Sequence, residues 1–420
     1  MRDDVQAQDS TNGTDAQRSN APAPHARAII DALAVENVKA FAGRHEVPLA
    51  PLTLIFGPNA AGKSTLIQSL RLFARAVASG RRDALGVFEA CFLGEQSPID
   101  TLTSGHDEDL ALSVGVHLPG TSRHLGLGAN LQFFRHPIAD LIEWNSQIIE
   151  DQGSTAVKHF RIDPEPTNHG EPEAHYWVAV GDGDLKRVRA DPDLFAGDDA
   201  HADRLYDLAK HAVFLGPHRG DPQARYESTG DFFRASIDSK HVGGPDQFNA
   251  MLARLEMPYQ FQARERFTPE GRVRNIWQLV DTRTSVDVDL NQVGYGVGQL
   301  LPVIQACVQA SEQIICIEQP ELHLHPRLQS KTGALLAHAV RNRNQVIVET
   351  HSENLLLRIR RLVQRGLLQP DEVAVIYVDN DATSGAFADR LELGTDGRLL
   401  DPWPTGFFDD SLHDILGISQ

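Results

Sequence analysis

Three short apolar runs frame this chain. Leu52-Thr53-Leu54-Ile55-Phe56, Gln313-Ile314-Ile315-Cys316-Ile317 and Gln345-Val346-Ile347-Val348-Glu349-Thr350 each stop at polar residues and lead into a helical stretch. After the first run, Leu66, Leu70 and Phe73 recur at helical spacing. Short apolar strands that end in polar residues and alternate with helices predict a parallel sheet, with a functional site at the strand C-termini. The expected class is therefore α/β.

The rest of the pattern is more varied. Residues 33–41 and 45–49 read as closely spaced strands ahead of the first run. Residues 109–116, 127–133 and 175–180 alternate apolar with polar positions, as antiparallel strands attached to the core do. A helical piece at 202–212 precedes Val213-Phe214-Leu215, a short buried strand that ends on the Gly216-Pro217 turn. Phe248, Met251, Leu252 and Leu255 recur at helical spacing and mark 221–275 as an inserted helical subdomain. Residues 276–280 and 285–290 read as a hairpin, and the glycine-rich segment 293–299 as a turn running into a helix at 300–310.

Residues 1–27 hold almost no large apolar side chain and cannot offset the entropy of ordering, so a flexible tail is expected there. The expected organisation is this tail, an N-terminal lobe over 28–220 with the β-rich region, the insertion at 221–275 and a C-terminal lobe over 276–420.

Composition narrows the class. With 420 residues, 41% hydrophobic and 23% charged, the chain has the make-up of a globular protein with a large core. A formal net charge of −18 argues against a surface that grips nucleic acid all round, although a local basic strip is still allowed. Cys91, Cys307 and Cys316 form no metal-binding spacing, and reduced, cytoplasmic life is the simplest reading. No stretch approaches the ~20 apolar residues that span a bilayer, and no apolar signal core is seen, so neither membrane insertion nor secretion is expected.

The candidate chemistry starts where the first run ends. Gly57-Pro58-Asn59-Ala60-Ala61-Gly62-Lys63-Ser64 fits the phosphate-loop pattern G-x-x-x-x-G-K-[ST], and Thr65 follows it into the helix. Glycines let backbone N–H groups and a helix N-terminus face a polyphosphate. Lys63 is expected on the β- and γ-phosphates of a nucleotide and Ser64 on Mg²⁺. The second run delivers Glu318, a strand-end carboxylate suited to hold that Mg²⁺ beside Ser64. The third delivers His351, which can sense the γ-phosphate. Phe41 reads either as an adenine-stacking ring or as a core residue.

The order of phosphate loop, glycine-rich signature, acidic strand end and strand plus His resembles the ABC-type ATPase heads of the RecF and OLD class. It is closer still to bacterial stand-alone AAA-annotated ATPases with E-Q-P-E-x-H-L-H-P, E-T-H-S and W-P-x-G-F-F elements. Here these are Glu318 to Pro326, Glu349 to Ser352 and Trp403-Pro404-Thr405-Gly406-Phe407-Phe408. The resemblance implies an ABC-ATPase-like P-loop NTPase head with an antiparallel β-rich lobe and a small helical insertion. It also implies a homodimer closed around two ATP molecules, in which Gly294, Gly296, Gly298 and Gln299 complete the partner's site.

Two departures matter. Gly298 stands where such signatures commonly carry Ser, and Gln319 where ABC heads carry the catalytic Glu. Gln can orient water but cannot accept its proton. Either Glu321 reaches the attacking water, or hydrolysis is slow and ATP mainly holds a dimer. By the same resemblance, the head controls an effector such as a nuclease, in anti-phage defence or DNA transactions. The alternatives are a non-hydrolysing ATP-gated scaffold or sensor, and a RecF-like DNA-repair ATPase.

Other candidates carry less. His323 and His325 form a His-x-His pair, but in a helix-opening turn that pattern is more often structural than zinc-binding. Asp379-Asn380-Asp381 mimics a nuclease D-x-D, with too few residues after it for that domain. Arg358, Arg361 and Arg365 share a helical face beside Arg360, usually a solvated face and otherwise a contact for DNA or an acidic partner. Arg219 reads as a phosphate contact or a structural ion pair.

Overall fold

The computed structural model describes residues 29–79, 111–117, 128–135, 142–149, 157–158, 175–178, 186–189, 210–217, 219, 245–267, 273–289, 292–381 and 385–402. The tail at 1–27 and the Trp403 to Phe408 ending lie outside them. So do most of the 202–212 helical piece and the first part of 221–275.

A six-stranded sheet organises the molecule. Its strands are β3 (Leu52–Phe56), β10 (Val213–Leu215), β14 (Ile314–Glu318), β15 (Gln345–Glu349), β16 (Val373–Asp381) and β17 (Gly385–Leu391), in the order β10-β14-β15-β3-β16-β17. All neighbours are parallel except β16 and β17. The expected parallel sheet is present, and its strands run into helices: β3 into α1 (Lys63–Ser79), β14 through a turn into α4 (Pro326–Arg341), and β15 into α5 (Glu353–Gln364).

Alternation along these strands divides the core in two. Leu52, Leu54, Ile315, Ile317, Val346 and Val348 face one layer with α4, α5 and α3 (Tyr295–Gln309). Ile55, Ile314, Cys316 and Ile347 face the other with Leu66, Leu70 and Phe73 of α1. Covering both faces removes water from β3, β14 and β15, which is why these runs are apolar throughout rather than alternating.

A second sheet, β2-β1-β4-β5-β6-β7, is antiparallel throughout: β1 (Ala32–Val38), β2 (Phe41–Pro48), β4 (Ala111–His117), β5 (Gly128–Arg135), β6 (Ile142–Ile149) and β7 (Val157–Lys158). β8 (His175–Val178) and β9 (Lys186–Arg189) form a separate hairpin. Phe41 is fully buried, edge-on to His45 at 5.4 Å and against the phosphate loop at Gly62. It is a core ring with no face open to an adenine.

From Pro245 onward, the 221–275 stretch is α2 (Pro245–Arg254) followed by β11 (Tyr259–Phe267). β11 pairs with β12 (Val273–Asp281), and β12 with β13 (Asp287–Val288). Phe248, Met251, Leu252 and Phe261 join the same apolar cluster as Ile315 and Leu300.

The glycine-rich signature differs from its sequence reading. It is not a turn ahead of a helix: α3 begins at Tyr295 with Gly294 as N-cap, so Gly296 and Gly298 lie in the first helical turn. The physical reason is local packing. A Cβ at Gly296 would come within 2.3 Å of the His323 carbonyl oxygen, so glycine is required for the helix start to dock on the His323-Leu324 turn.

Candidate nucleotide site

Strand order brings the site residues together. β15 lies between β3, which delivers the phosphate loop, and β14, which delivers Glu318. The C-terminal ends of all three converge, with Lys63 and Ser64 at the start of α1 beneath them. Lys63 is buried, and its Nζ donates to the carbonyls of Gly57 at 3.0 Å and Pro58 at 2.6 Å. Burial lowers its pKa, opposed by the nearby Glu349 carboxylate.

The loop is braced from its other side. Asn380 Nδ2 donates to the Ala60 carbonyl at 3.1 Å, and Tyr377 donates its hydroxyl to Asp379. The D-x-D segment is therefore a prop for the phosphate loop.

Glu318 and Glu349 are register partners on adjacent parallel strands, so their side chains leave the same face, the one α1 covers. Ser64 Oγ donates to Glu349 Oε2 at 2.7 Å. Sequence reasoning assigned the carboxylate beside Ser64 to Glu318 alone. The quoted E-T-H-S element contained Glu349, but nothing local in the sequence gives the strand order.

Glu318 is pushed up to about 7, chiefly by burial and then by Glu349, while Arg71, Arg219 and Lys39 pull it down. A raised carboxylate favours the folded state while protonated. That contribution is complete below its ordinary value of 4.5 and is lost as pH rises through about 7. Without metal, Glu318→Gln should therefore gain stability relative to the parent as pH rises across this window. Urea unfolding of both proteins at its two ends measures the gap.

Glu321 is buried. Its Oε1 accepts from the His351 backbone N–H at 2.6 Å, its carboxylate is also acted on by the Thr350 hydroxyl, and its Oε2 has no partner within hydrogen-bond geometry among the described residues. Burial raises its pKa, countered first by the His351 N–H. The His351 side chain is half-buried, and its pKa is lowered by burial and then by Lys63. Gln319 has φ 46, and its N–H donates to the Glu349 carbonyl at 2.8 Å.

Arg219 ties this group to the signature helix. Its guanidinium donates to the Glu318 carbonyl at 2.5 Å and to the Gln299 carbonyl at 3.2 Å, and its backbone N–H donates to Gln299 Oε1 at 3.0 Å. Burial lowers its pKa to about 10, against the pull of Glu321 and then Glu318. Gln299 is thus turned inward, while Tyr295 is exposed and edge-on to His323 at 4.8 Å. Gly294, Gly296 and Gly298 stand with Tyr295 at that helix start.

The remaining candidates resolve as structural parts. His325 caps α4, its Nδ1 accepting from the Arg327 N–H at 3.3 Å. The arginine face of α5 is divided: Arg358 packs on Gly333, Arg360 donates to the Gly397 carbonyl at 2.8 Å, and Arg361 and Arg365 are exposed.

The donor set suits a hard divalent cation held with phosphates. Ser64 supplies a hydroxyl, and Glu318 and Glu349 supply carboxylates. Among the described residues, no group of three or more His, Cys, Asp or Glu could hold a metal ion without such help. Mg²⁺ in nucleotide sites uses one or two carboxylates plus substrate phosphates rather than a full protein cage.

A phosphate loop on a parallel sheet, with one strand between the loop strand and the acid strand, defines a P-loop NTPase fold. The comparisons agree: residues 52–358 match the family described as "AAA domain, putative AbiEii toxin, Type IV TA system", and the chain belongs to that family. Residues 368–417 match a second family, "Protein of unknown function (DUF3696)", which spans β16, β17 and the Trp403 to Phe408 ending. A search of curated proteins finds no match.

Among solved structures, the SmcHead bound to the C-winged helix domain of ScpA is 12% identical, with 87% of this chain and 99% of that one covered and a TM-score of 0.47. The SMC head domain from Thermotoga maritima is 13% identical, over 87% and 100%, with a TM-score of 0.39. The Smc head with an extended coiled coil, bound to the C-terminal domain of ScpA derived from Pyrococcus furiosus, is 11% identical, over 93% and 100%, with a TM-score of 0.43. At these scores the likeness fixes neither activity nor partner. No helix among the described residues is long and apolar enough to cross a membrane.

Proposed function

We propose that this chain is a Mg-ATP-dependent ATPase head of the RecF and OLD type, which hydrolyses ATP slowly, closes as a homodimer around two nucleotides and controls a partner effector. The observation that carries the reading is the meeting of Lys63, Ser64, Glu318, Glu321, Glu349 and His351 at three adjacent strand ends. Lys63 leaves the loop carbonyls for the β- and γ-phosphates. The backbone of Gly57 to Thr65 wraps the anion, with the N-terminus of α1 behind it. Ser64 and Glu318 would hold Mg²⁺, which would supply neutralisation of charge on the phosphates.

Glu321 is the proton acceptor of this reading. It carries a buried oxygen with no hydrogen-bond partner among the described residues and a raised pKa, both suited to taking a proton from water. Gln319 orients the water, and His351 reads the γ-phosphate while its backbone holds Glu321 in place. Gly294, Gly296 and Gly298 present the start of α3 to the partner's γ-phosphate, with Arg219 and Gln299 bracing that helix from within. The effector, a nuclease in anti-phage defence or DNA transactions, is assigned by family analogy alone.

A second reading, an ATP-gated scaffold without turnover, draws on Gln319 and on the engagement of Glu321 Oε1 with His351. Turnover of Glu321→Gln separates the two. The proposal expects a fall of at least about 100-fold with ATP affinity retained. Unchanged turnover removes Glu321 as the base, and no turnover in the parent chain favours the scaffold.

A further inference from the structure

We infer that Glu349 is a second carboxylate of the magnesium site, so that the acid pair is split between two neighbouring strands instead of lying on consecutive residues. This rests on the Mg-ATP reading above and concerns which side chains meet the metal.

The hydroxyl of a phosphate loop ordinarily works with the metal and with the acid at the end of the neighbouring catalytic strand. Here Ser64 Oγ is committed to Glu349 Oε2 at 2.7 Å, across 285 residues of sequence. Glu349 is 3% exposed and ends β15, the strand directly beside the loop strand. Glu318 lies one strand further away, in register with it and on the same face.

Arg71, Arg219 and Lys39 attract Glu318, and Lys63 attracts Glu349, but none of these contacts is a direct ion pair within 4.0 Å among the described residues. Two carboxylates held side by side and largely out of water repel each other and lose hydration. A divalent cation between them and the Ser64 hydroxyl removes both costs, and an all-oxygen donor set is the one Mg²⁺ prefers. The residue after Glu318 is the neutral Gln319, and the carboxylate beside Glu318 on this face of the sheet is Glu349 of β15.

The test uses the full chain, the non-hydrolysable analogue AMP-PNP and Mn²⁺ as the metal probe, followed through the electron paramagnetic resonance signal of free Mn²⁺. Glu349→Gln keeps the shape and an acceptor for Ser64 but removes the charge. Its Mn²⁺ affinity in the nucleotide complex should fall at least about 10-fold. Affinity for a fluorescent ATP analogue in EDTA should stay within about 2-fold of the parent. Glu349→Asp, which keeps the charge on a shorter arm, gives the same test should Gln not be tolerated, with an expected loss of at least about 3-fold. Parental Mn²⁺ affinity in these variants, alongside a loss in Glu318→Gln, overturns the inference while leaving the Mg-ATP reading intact. Absence of nucleotide binding by the parent chain, with or without metal, overturns both.

Discussion

Lys63→Ala will lower ATP affinity by at least about 100-fold and abolish turnover, because no other buried cation lies on the loop to meet the phosphates. In the nucleotide-free chain the ammonium is held by the Gly57 and Pro58 carbonyls, and the carboxylate acting most on it is Glu349. Those carbonyls are weak competitors, so the charge is available to a triphosphate without first breaking an ion pair. Truncation also leaves the two carbonyls without the ammonium, and a modest loss of stability is expected. Isothermal titration with Mg-ATP measures the affinity, and circular dichroism establishes that the variant is folded. Parental binding and turnover would remove the nucleotide reading.

Gly57→Ala should produce the largest loss of stability among single substitutions in the site. Gly57 has φ +148, in a region side chains rarely adopt, and a Cβ there would lie 1.9 Å from the Val378 carbonyl oxygen of β16. The contact cannot be relieved by rotating a side chain, since its partner is backbone. The loop or β16 must move, and a cost of at least about 4 kcal/mol is expected. Chemical denaturation measures it. ATP affinity should fall in parallel, because the same shift displaces the N–H groups that face the phosphates.

Much of the fold was legible because the chain writes it in local pattern. Leu52 to Phe56, Ile314 to Ile317 and Val346 to Val348 are apolar without alternation, and strands covered on both faces require that. The phosphate loop, Glu318 and His351 were legible for the same reason: each directly follows such a run. Glu349 was harder to assign, since its contact with Ser64 depends on β15 standing between β14 and β3, and strand order is a tertiary property. Arg219 meets Gln299 and Glu318 across 80 and 99 residues, with no spacing to announce it. At Gly294 to Gln299, glycine content suggested a turn, but docking of Gly296 on the His323 carbonyl outweighs helix propensity there.

The central claim, an ATP-closed dimer whose signature helix completes the partner's site, is tested most directly by the mass of Glu321→Gln in solution. Light scattering is recorded on the eluting protein with and without Mg-ATP. A monomer that doubles its mass only with Mg-ATP is the predicted result, and Lys63→Ala should remain a monomer in both conditions. A mass that is the same with and without nucleotide, in a variant that binds ATP, would contradict it.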